Sequence, residues 1–499
     1  MHPRLAAPNP RFTARTGTLA DWLIRRDCGQ VMVGLVAAIR AAREVVVITR
    51  SEVAVLDLRS TPNAALACAE AKSIAQPVAE PVTEKERIVS IDVLRGFALL
   101  GILPMNIQYF SMISAAYMNP TTYGDLHGAN LWAWLLCHVL ADEKFMAIFS
   151  MLFGAGILLM TGRVEAAGRK SAALHYRRMG WLTLFGLAHS YLLWSGDILF
   201  TYGMCGMVVY LCRKWTPRKL LIAGVLLLAV APATLTAEGL WSRHWTPKQV
   251  QTASEQLWAP TPAMVANEVA AYRGTWTEQM RIRAADSAQM QTVFFVLFTF
   301  WRAAGLMLVG MALFKLGVFR ARLRRPDYWA MVFTGACVGI PITLYGTWRD
   351  FAGGWEFRNS FFFGLQFNYW ASLLVSMGWV GAVMLACQSP RWIPVTRRLA
   401  AVGRMAFTNY ILQTLICTTL FYGHGFGLFG RVERVGQLAI VLMIWGVQLI
   451  LSPVWLQYFL FGPLEWLWRS LTYWSREPFV RSRTLVGGMQ GRPVLDGPR

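Results

Sequence analysis

The chain has 499 residues, 55% of them hydrophobic and only 15% charged, with a mean hydropathy of +0.40 and 22 Trp. A water-soluble protein carries about 25% charged residues, so that class is excluded, and so many Trp suit interfacial belts. The formal net charge of +21 follows from basic loops and tail facing anionic headgroups, so no nucleic-acid partner is called for.

Residues 1–85 form an Arg- and Ala-rich preface, expected to be a poorly structured extension. Its apolar stretch, Val31 to Ile39, ends at Arg40 and is too short to cross a bilayer. No cleavage site follows it, which argues against a signal peptide. Beyond it, windows of ~20 apolar residues predict ten spans, at 93–116, 145–161, 179–195, 198–212, 219–237, 292–317, 328–347, 361–387, 399–422 and 437–461. Pro104, Pro232, Pro341 and Pro453 fall inside spans and are expected to kink them.

Between the fifth and sixth spans, 238–291 has mixed charge and several aromatics, including Trp241, Trp258 and Trp276. It reads as an amphipathic cap on the outer surface, with a small folded lid as the alternative. The expected organisation is therefore preface 1–85, N-terminal membrane region 87–237, outer cap 238–291, C-terminal membrane module 292–475 and basic tail 476–499. No repeat with a period of 20–50 residues is evident. With the N-terminus inside, the short inner loops carry eighteen Lys and Arg, and the short outer loops carry only Arg349, Arg358, Arg431 and Arg434. The fold class is thus an all-α polytopic bundle of about ten spans with both termini cytoplasmic. The eight cysteines have no metal-ligand or redox spacing, so no metal site is expected.

Four polar groups lie within this apolar frame. Asp92 and Arg95 share one helix face and can pair; Asn106, ~16 Å further along the helix, lies on nearly the same face. They read either as an interfacial anchor or as the lining of a polar cavity. Asp142, Glu143 and Lys144 stand at the outer end of the second span, where a solvated helix cap is the plain reading. Gly154 and Gly156 then allow close helix packing. His189 sits well inside a span, where an imidazole can act as base, nucleophile or proton relay, or simply bond a neighbouring hydroxyl. Asp197 can orient it if the chain folds back, and Tyr202 follows on the next helix. Arg302 lies mid-span and must find an anion or several acceptors, giving it the strongest claim to line a cavity. Asn409 and Gln413, one turn apart, read as interhelical glue.

Taken together, Ser90-Ile91-Asp92-Val93-Leu94-Arg95-Gly96 with Asn106, Lys144-Phe145, Leu152-Phe153-Gly154-Ala155-Gly156, Trp194-Ser195-Gly196-Asp197, Gly403-Arg404-Met405-Ala406-Phe407-Thr408-Asn409-Tyr410 and Gly462-Pro463-Leu464-Glu465 resemble the YeiB family of bacterial inner-membrane proteins. The resemblance covers about 87 to 475 and implies a multi-pass protein of the inner (plasma) membrane with a C-terminal module of unknown function. More distantly, the opening helix looks like that of transmembrane acyltransferases, including the heparan acetyltransferase and acyltransferase-3 groups. These pass an acyl group from a cytoplasmic donor to an acceptor across the bilayer. The heparan group keeps its essential His in the outer loop after that helix; His127 and His138 lie in this region here, without matching spacing.

The resemblance implies acyl-coenzyme A as a co-substrate, no bound cofactor, and a lipid, glycan or small metabolite as acceptor. On this reading His189 is the base or acyl carrier and Asp197 orients it. Arg95 and Arg302 bind anions of donor or acceptor, and Asp92, Asn106, Lys144, Tyr202, Asn409 and Gln413 complete the binding path. One alternative is a transporter for a small anionic solute, with Arg302, Asn409 and Gln413 along its path, although no inverted repeat or paired broken helices are apparent. Another is a non-catalytic membrane partner of an enzyme.

Overall fold

The computed structural model describes residues 87–481. The expectations for the preface at 1–85, and for the tail beyond Arg481, fall outside the described residues. Among the described residues the protein is a helical bundle, with only an isolated bridge between Phe459 and Val480. The N-terminal half contains α1 (Val89–Ser111), α2 (Gly128–Leu140), α3 (Lys144–Ala166), α4 (Ala172–Leu192), α5 (Leu199–Val209) and α6 (Pro217–Trp241). Next come α7 (Pro247–Leu257), α8 (Pro262–Arg273) and α9 (Trp276–Gln289). The C-terminal half contains α10 (Phe300–Lys315), α11 (Arg325–Thr334), α12 (Ile340–Ala352), α13 (Leu365–Cys387), α14 (Ile393–Arg404), α15 (Ala406–Phe421), α16 (Arg434–Tyr458) and α17 (Pro463–Tyr473).

Wider π-helical turns at Met290–Thr299 and Gly335–Gly339 fuse α9 to α10 and α11 to α12 into continuous rods. Seven helical segments are then long and apolar enough to cross a membrane: Val89–Ser111, Gly128–Ala166, Pro217–His244, Trp276–Lys315, Arg325–Ala352, Phe357–Cys387 and Arg434–Tyr458. Seven of the ten sequence windows fall on these segments, and the other three fall on α4, α5 and α15. With 11 residues, α5 extends only about 17 Å, short of the ~30 Å hydrocarbon layer. The window at 399–422 is broken at Met405 into α14 and α15.

The hub is α1. Of its apolar window 78% is buried within the protein, against 22% for α16 and 28% for α6. Glycines set the crossings. A Cβ on Gly403 would lie 1.9 Å from the Asp92 carbonyl oxygen, and one on Gly96 2.0 Å from that of Leu399, so α1 and α14 touch backbone to backbone. The same reciprocity joins α3 to α10, through Gly154 against Met307 and Gly310 against Met151. Gly156 does not share this role: nothing lies within 4 Å of its added Cβ.

The segment read as a cap folds as three helices. Thr246, Thr261 and Thr275 each accept a backbone N–H three residues on, and Gln249 and Glu278 complete capping boxes. They dock on the bundle through specific bonds. Trp258 Nε1 donates to the Trp355 carbonyl at 2.8 Å, and Ser114 N donates to Glu268 Oε1 at 2.8 Å.

Candidate functional site

A cavity of about 380 Å³ opens beside the first turn of α1. On α3 its lining runs from Val164 to Phe149, about 22 Å of helix. Six arginines line it: Arg87, Arg95, Arg163, Arg178, Arg404 and Arg469. Two carboxylates answer them, Asp92 and Glu465. Arg95 Nη1 donates to Asp92 Oδ1 at 2.9 Å, and Arg87 Nη1 stands 3.8 Å from Asp92 Oδ2. Burial, opposed by Asp92, brings the Arg87 guanidinium down to about 10, and the charges of Arg404, Arg469 and Arg95 push the same way. The group stays cationic at neutral pH, in a site with more positive charge than its own acids neutralise. Deeper in, the walls are apolar: Leu99, Ile102, Phe149, Leu182, Phe407 and Tyr410, with Gly156 leaving open space. Tyr202 also lines the cavity, its hydroxyl 2.8 Å from Ser150 Oγ.

Glu465 explains the break at Met405. Its carboxylate accepts from Phe407 N at 2.6 Å, Thr408 N at 3.0 Å and Thr408 Oγ1 at 2.6 Å, so a residue of α17 caps the N-terminus of α15. Burial, opposed by these donors, raises its pKa above the ordinary 4.5. The folded chain therefore holds this proton more tightly than the unfolded chain does. The resulting stability is fully present below the ordinary value and is lost as pH rises through the raised one. Thermal melting across that interval should show the decline, and Glu465→Gln should remove that part of the slope.

A second polar cluster joins α3 to α10 and α13. Asp142 and Lys144, read from sequence as a solvated cap, are instead 8% and 0% exposed. The reversal comes from Glu143, whose φ of 62° lies in the left-handed region and turns the chain sharply between α2 and α3. Lys144 Nζ donates to the His138 carbonyl at 2.7 Å and to Asn368 Oδ1. Asp142 accepts from Asn368 Nδ2 at 3.0 Å and from Tyr117 at 3.3 Å, and lies 3.1 Å from His138 Nδ1. Arg302 belongs here and does not line the cavity. Its Nη2 donates to Ser372 Oγ at 2.8 Å and to Glu143 Oε2 at 3.3 Å, and the guanidinium lies 4.1 Å from the Tyr369 ring centre.

The chain does fold back after α4. His189 Nδ1 lies 2.8 Å from Asp197 Oδ1, and Asp197 Oδ2 accepts from Phe200 N at 2.8 Å. His189 Nε2 faces Thr414 Oγ1 at 3.0 Å. Hydroxyl, imidazole and carboxylate thus stand in the order used for nucleophilic acyl transfer. Both acid and imidazole side chains are 1% exposed. Tyr410, which lines the cavity, separates them from it, its ring 5.2 Å from that of His189.

The other sequence candidates divide. Asn106 is half-buried and outside the cavity lining, so it does not share a site with Arg95. Asn409 Nδ2 donates to Ser452 Oγ at 3.0 Å and Gln413 Nε2 to Gln448 Oε1 at 3.0 Å, tying α15 to α16. Sequence reasoning missed Thr414, Glu465, Asn368 and Ser372 as site residues. Each of them meets its partner across a long stretch of chain, 225 residues in the case of Thr414 and His189.

A bundle of long apolar helices around a cationic cavity defines a polytopic helical membrane protein. Residues 313–475 match a family described as Protein of unknown function (DUF418). The chain is 32% identical over 397 residues to Uncharacterized protein YeiB of Escherichia coli K12, covering 79% of this chain and 98% of that protein. It is 29% identical over 429 residues to Uncharacterized protein YxaH of Bacillus subtilis 168, covering 81% and 98%. An uncharacterized 39.9 kDa protein of the amylase 3′ region of Bacillus acidopullulyticus is 27% identical over 410 residues, covering 80% and 98%. The chain belongs to the YeiB family.

Proposed function

We propose that this chain is an inner-membrane acyltransferase that takes an acyl thioester into the arginine-lined cavity from the cytoplasmic side. The observation that carries the reading is one cavity combining six arginines with a deep apolar wall. That combination suits a donor with a phosphorylated head and an apolar arm: guanidinium groups hold phosphates through charge-assisted bonds, and the slot receives the arm and acyl group. An acceptor hydroxyl entering from the other side attacks the thioester carbonyl. A C–O bond forms, the C–S bond breaks, and the hydroxyl proton passes to a base and then to the departing thiolate. His189 is that base, its tautomer fixed by Asp197, once Tyr410 and Thr414 turn aside from Nε2. The transport alternative has less support, because Arg302, Asn409 and Gln413, which would line its path, are all bonded within the protein.

Purified protein should melt at a higher temperature with a coenzyme A thioester. Gly156→Leu, which grows into open space, should melt normally without ligand and lose the shift. Arg95→Gln should weaken binding about tenfold or more. His189→Ala should keep binding and lose turnover. Absence of any shift at saturating thioester, or full complementation of a deletion strain by His189→Ala, would overturn the reading.

A further inference from the structure

Beneath the cap, at the end of the molecule away from the arginine-lined cavity, α9 closes over the C-terminus of α4. Trp276 Nε1 donates to the Leu192 carbonyl at 3.2 Å, Arg283 Nη1 to that of Leu193 at 2.7 Å, and Ser287 Oγ to that of Ser190 at 3.0 Å. Arg283 is the anomaly. It is 1% exposed, yet Nε and Nη2 have no hydrogen-bond partner among the described residues. In the other two fully buried arginines among the described residues, Arg302 and Arg434, Nε alone lacks a partner and both terminal nitrogens are answered. Arg302 has Glu143 and Ser372, and Arg434 donates to the carbonyls of Asp125, Pro120 and Tyr123 at 2.7, 2.9 and 3.1 Å. Arg283 has one carbonyl acceptor, with the Trp276 ring centre 5.6 Å from its guanidinium carbon. Asp286, one turn along the same helix, forms no ion pair with it, and Glu268 on α8 is engaged by Ser114 N.

The neighbouring side chains are also donors in excess. Trp194 follows Leu193, stacks on Phe110 at 4.0 Å, and its buried Nε1 has no partner among the described residues. Beside it, Tyr109 and Ser195 place hydroxyls 3.4 Å apart. A guanidinium presents five donors and carries a full charge. Burying it against a single carbonyl is costly unless an anion completes the shell. Clustered buried donors without acceptors are what remains when such a ligand is removed.

We infer that Arg283, with Trp194, forms a second binding site under the cap for an oxyanion, a carboxylate or phosphate group carried by a small solute or substrate. Arg283 Nε and Nη2 hold the two oxygens in the bidentate manner guanidinium favours. The Leu193 carbonyl holds the remaining arm of the fork in place, and the cap opens to admit the ligand. This site is separate from the arginine-lined cavity and does not depend on the acyl-transfer reading.

Hydrogen–deuterium exchange on the full chain in detergent tests the site locally. Sodium phosphate and sodium acetate, each against chloride at matched ionic strength, are the probes. At least one should slow exchange in α8 and α9 about tenfold, and which one does so identifies the group. Arg283→Met should abolish that protection and leave any response near Arg87 and Arg95 intact. In chloride it should melt no lower than the wild type, because an uncompensated charge has been removed. Trp194→Phe, which keeps the stacked ring, should weaken the protection and serves if Arg283→Met does not fold. The inference fails if neither oxyanion protects α9 in the wild type. It fails equally if Arg283→Met melts lower by the same amount in every buffer, the mark of a purely structural cap on α4.

Discussion

Arg302→Met is expected to lower stability by about 1–3 kcal/mol, because it takes the charged partner from a half-buried acid. Glu143 is bonded to Arg302 at 3.3 Å and occupies a left-handed backbone position, which holds its carboxylate toward the space Arg302 would leave. Ser372 loses its charged partner as well. Chemical denaturation in mixed micelles, or thermal melting in one detergent, measures the loss. The double variant Arg302→Met with Glu143→Gln should recover a substantial part of it, since neither charge is then left alone. A single variant as stable as the wild type would mean that the pair is not closed and that water reaches Arg302.

Gly403→Val should do more damage still. Its Cβ would meet the Asp92 carbonyl oxygen at 1.9 Å and Gly96 N at 2.7 Å, and both are backbone atoms of the central helix. No rotamer change relieves such a contact. Either α1 and α14 separate or the fold is lost, at a cost on the order of 3 kcal/mol or more. Separation would also move Asp92, Arg95 and Arg404 apart and spoil the mouth of the cavity. Size-exclusion profiles and melting temperatures should show little monodisperse protein. Gly156→Val supplies the comparison: the same chemical change, made where nothing lies within 4 Å of the added Cβ, should leave melting nearly unchanged. Equal behaviour of the two variants would disprove the tight crossing.

Gly154 and Gly156 illustrate where local reading stops. Both lie in one apolar helix and both are small, so their sequence context suggests one role. Packing separates them: Gly154 meets α10, and Gly156 faces the cavity. Asp142, Glu143 and Lys144 make the same point with charge. A charged triplet at the end of an apolar window is ordinarily solvated, and only the sharp turn at Glu143 brings it against Asn368 and Arg302.

Sequence by itself determined what depends on neighbours along the chain. Composition fixed the membrane class, because every exposed backbone group in lipid must be satisfied within its own helix and long apolar runs follow. Spacing fixed the Asp92–Arg95 pair, three residues apart on one face. It also placed His189 close enough to Asp197 for a short return of the chain to join them. Tertiary structure alone decided what depends on helices distant in sequence. The six arginines of the cavity come from α1, α3, α4, α14, α17 and the residues before α1, and the acid that caps α15 comes from α17. Thr414 reaches His189 from 225 residues away. Interhelical contacts in a bundle are set by which face each helix turns toward its neighbours, and a nearly uniform apolar helix carries little record of that choice.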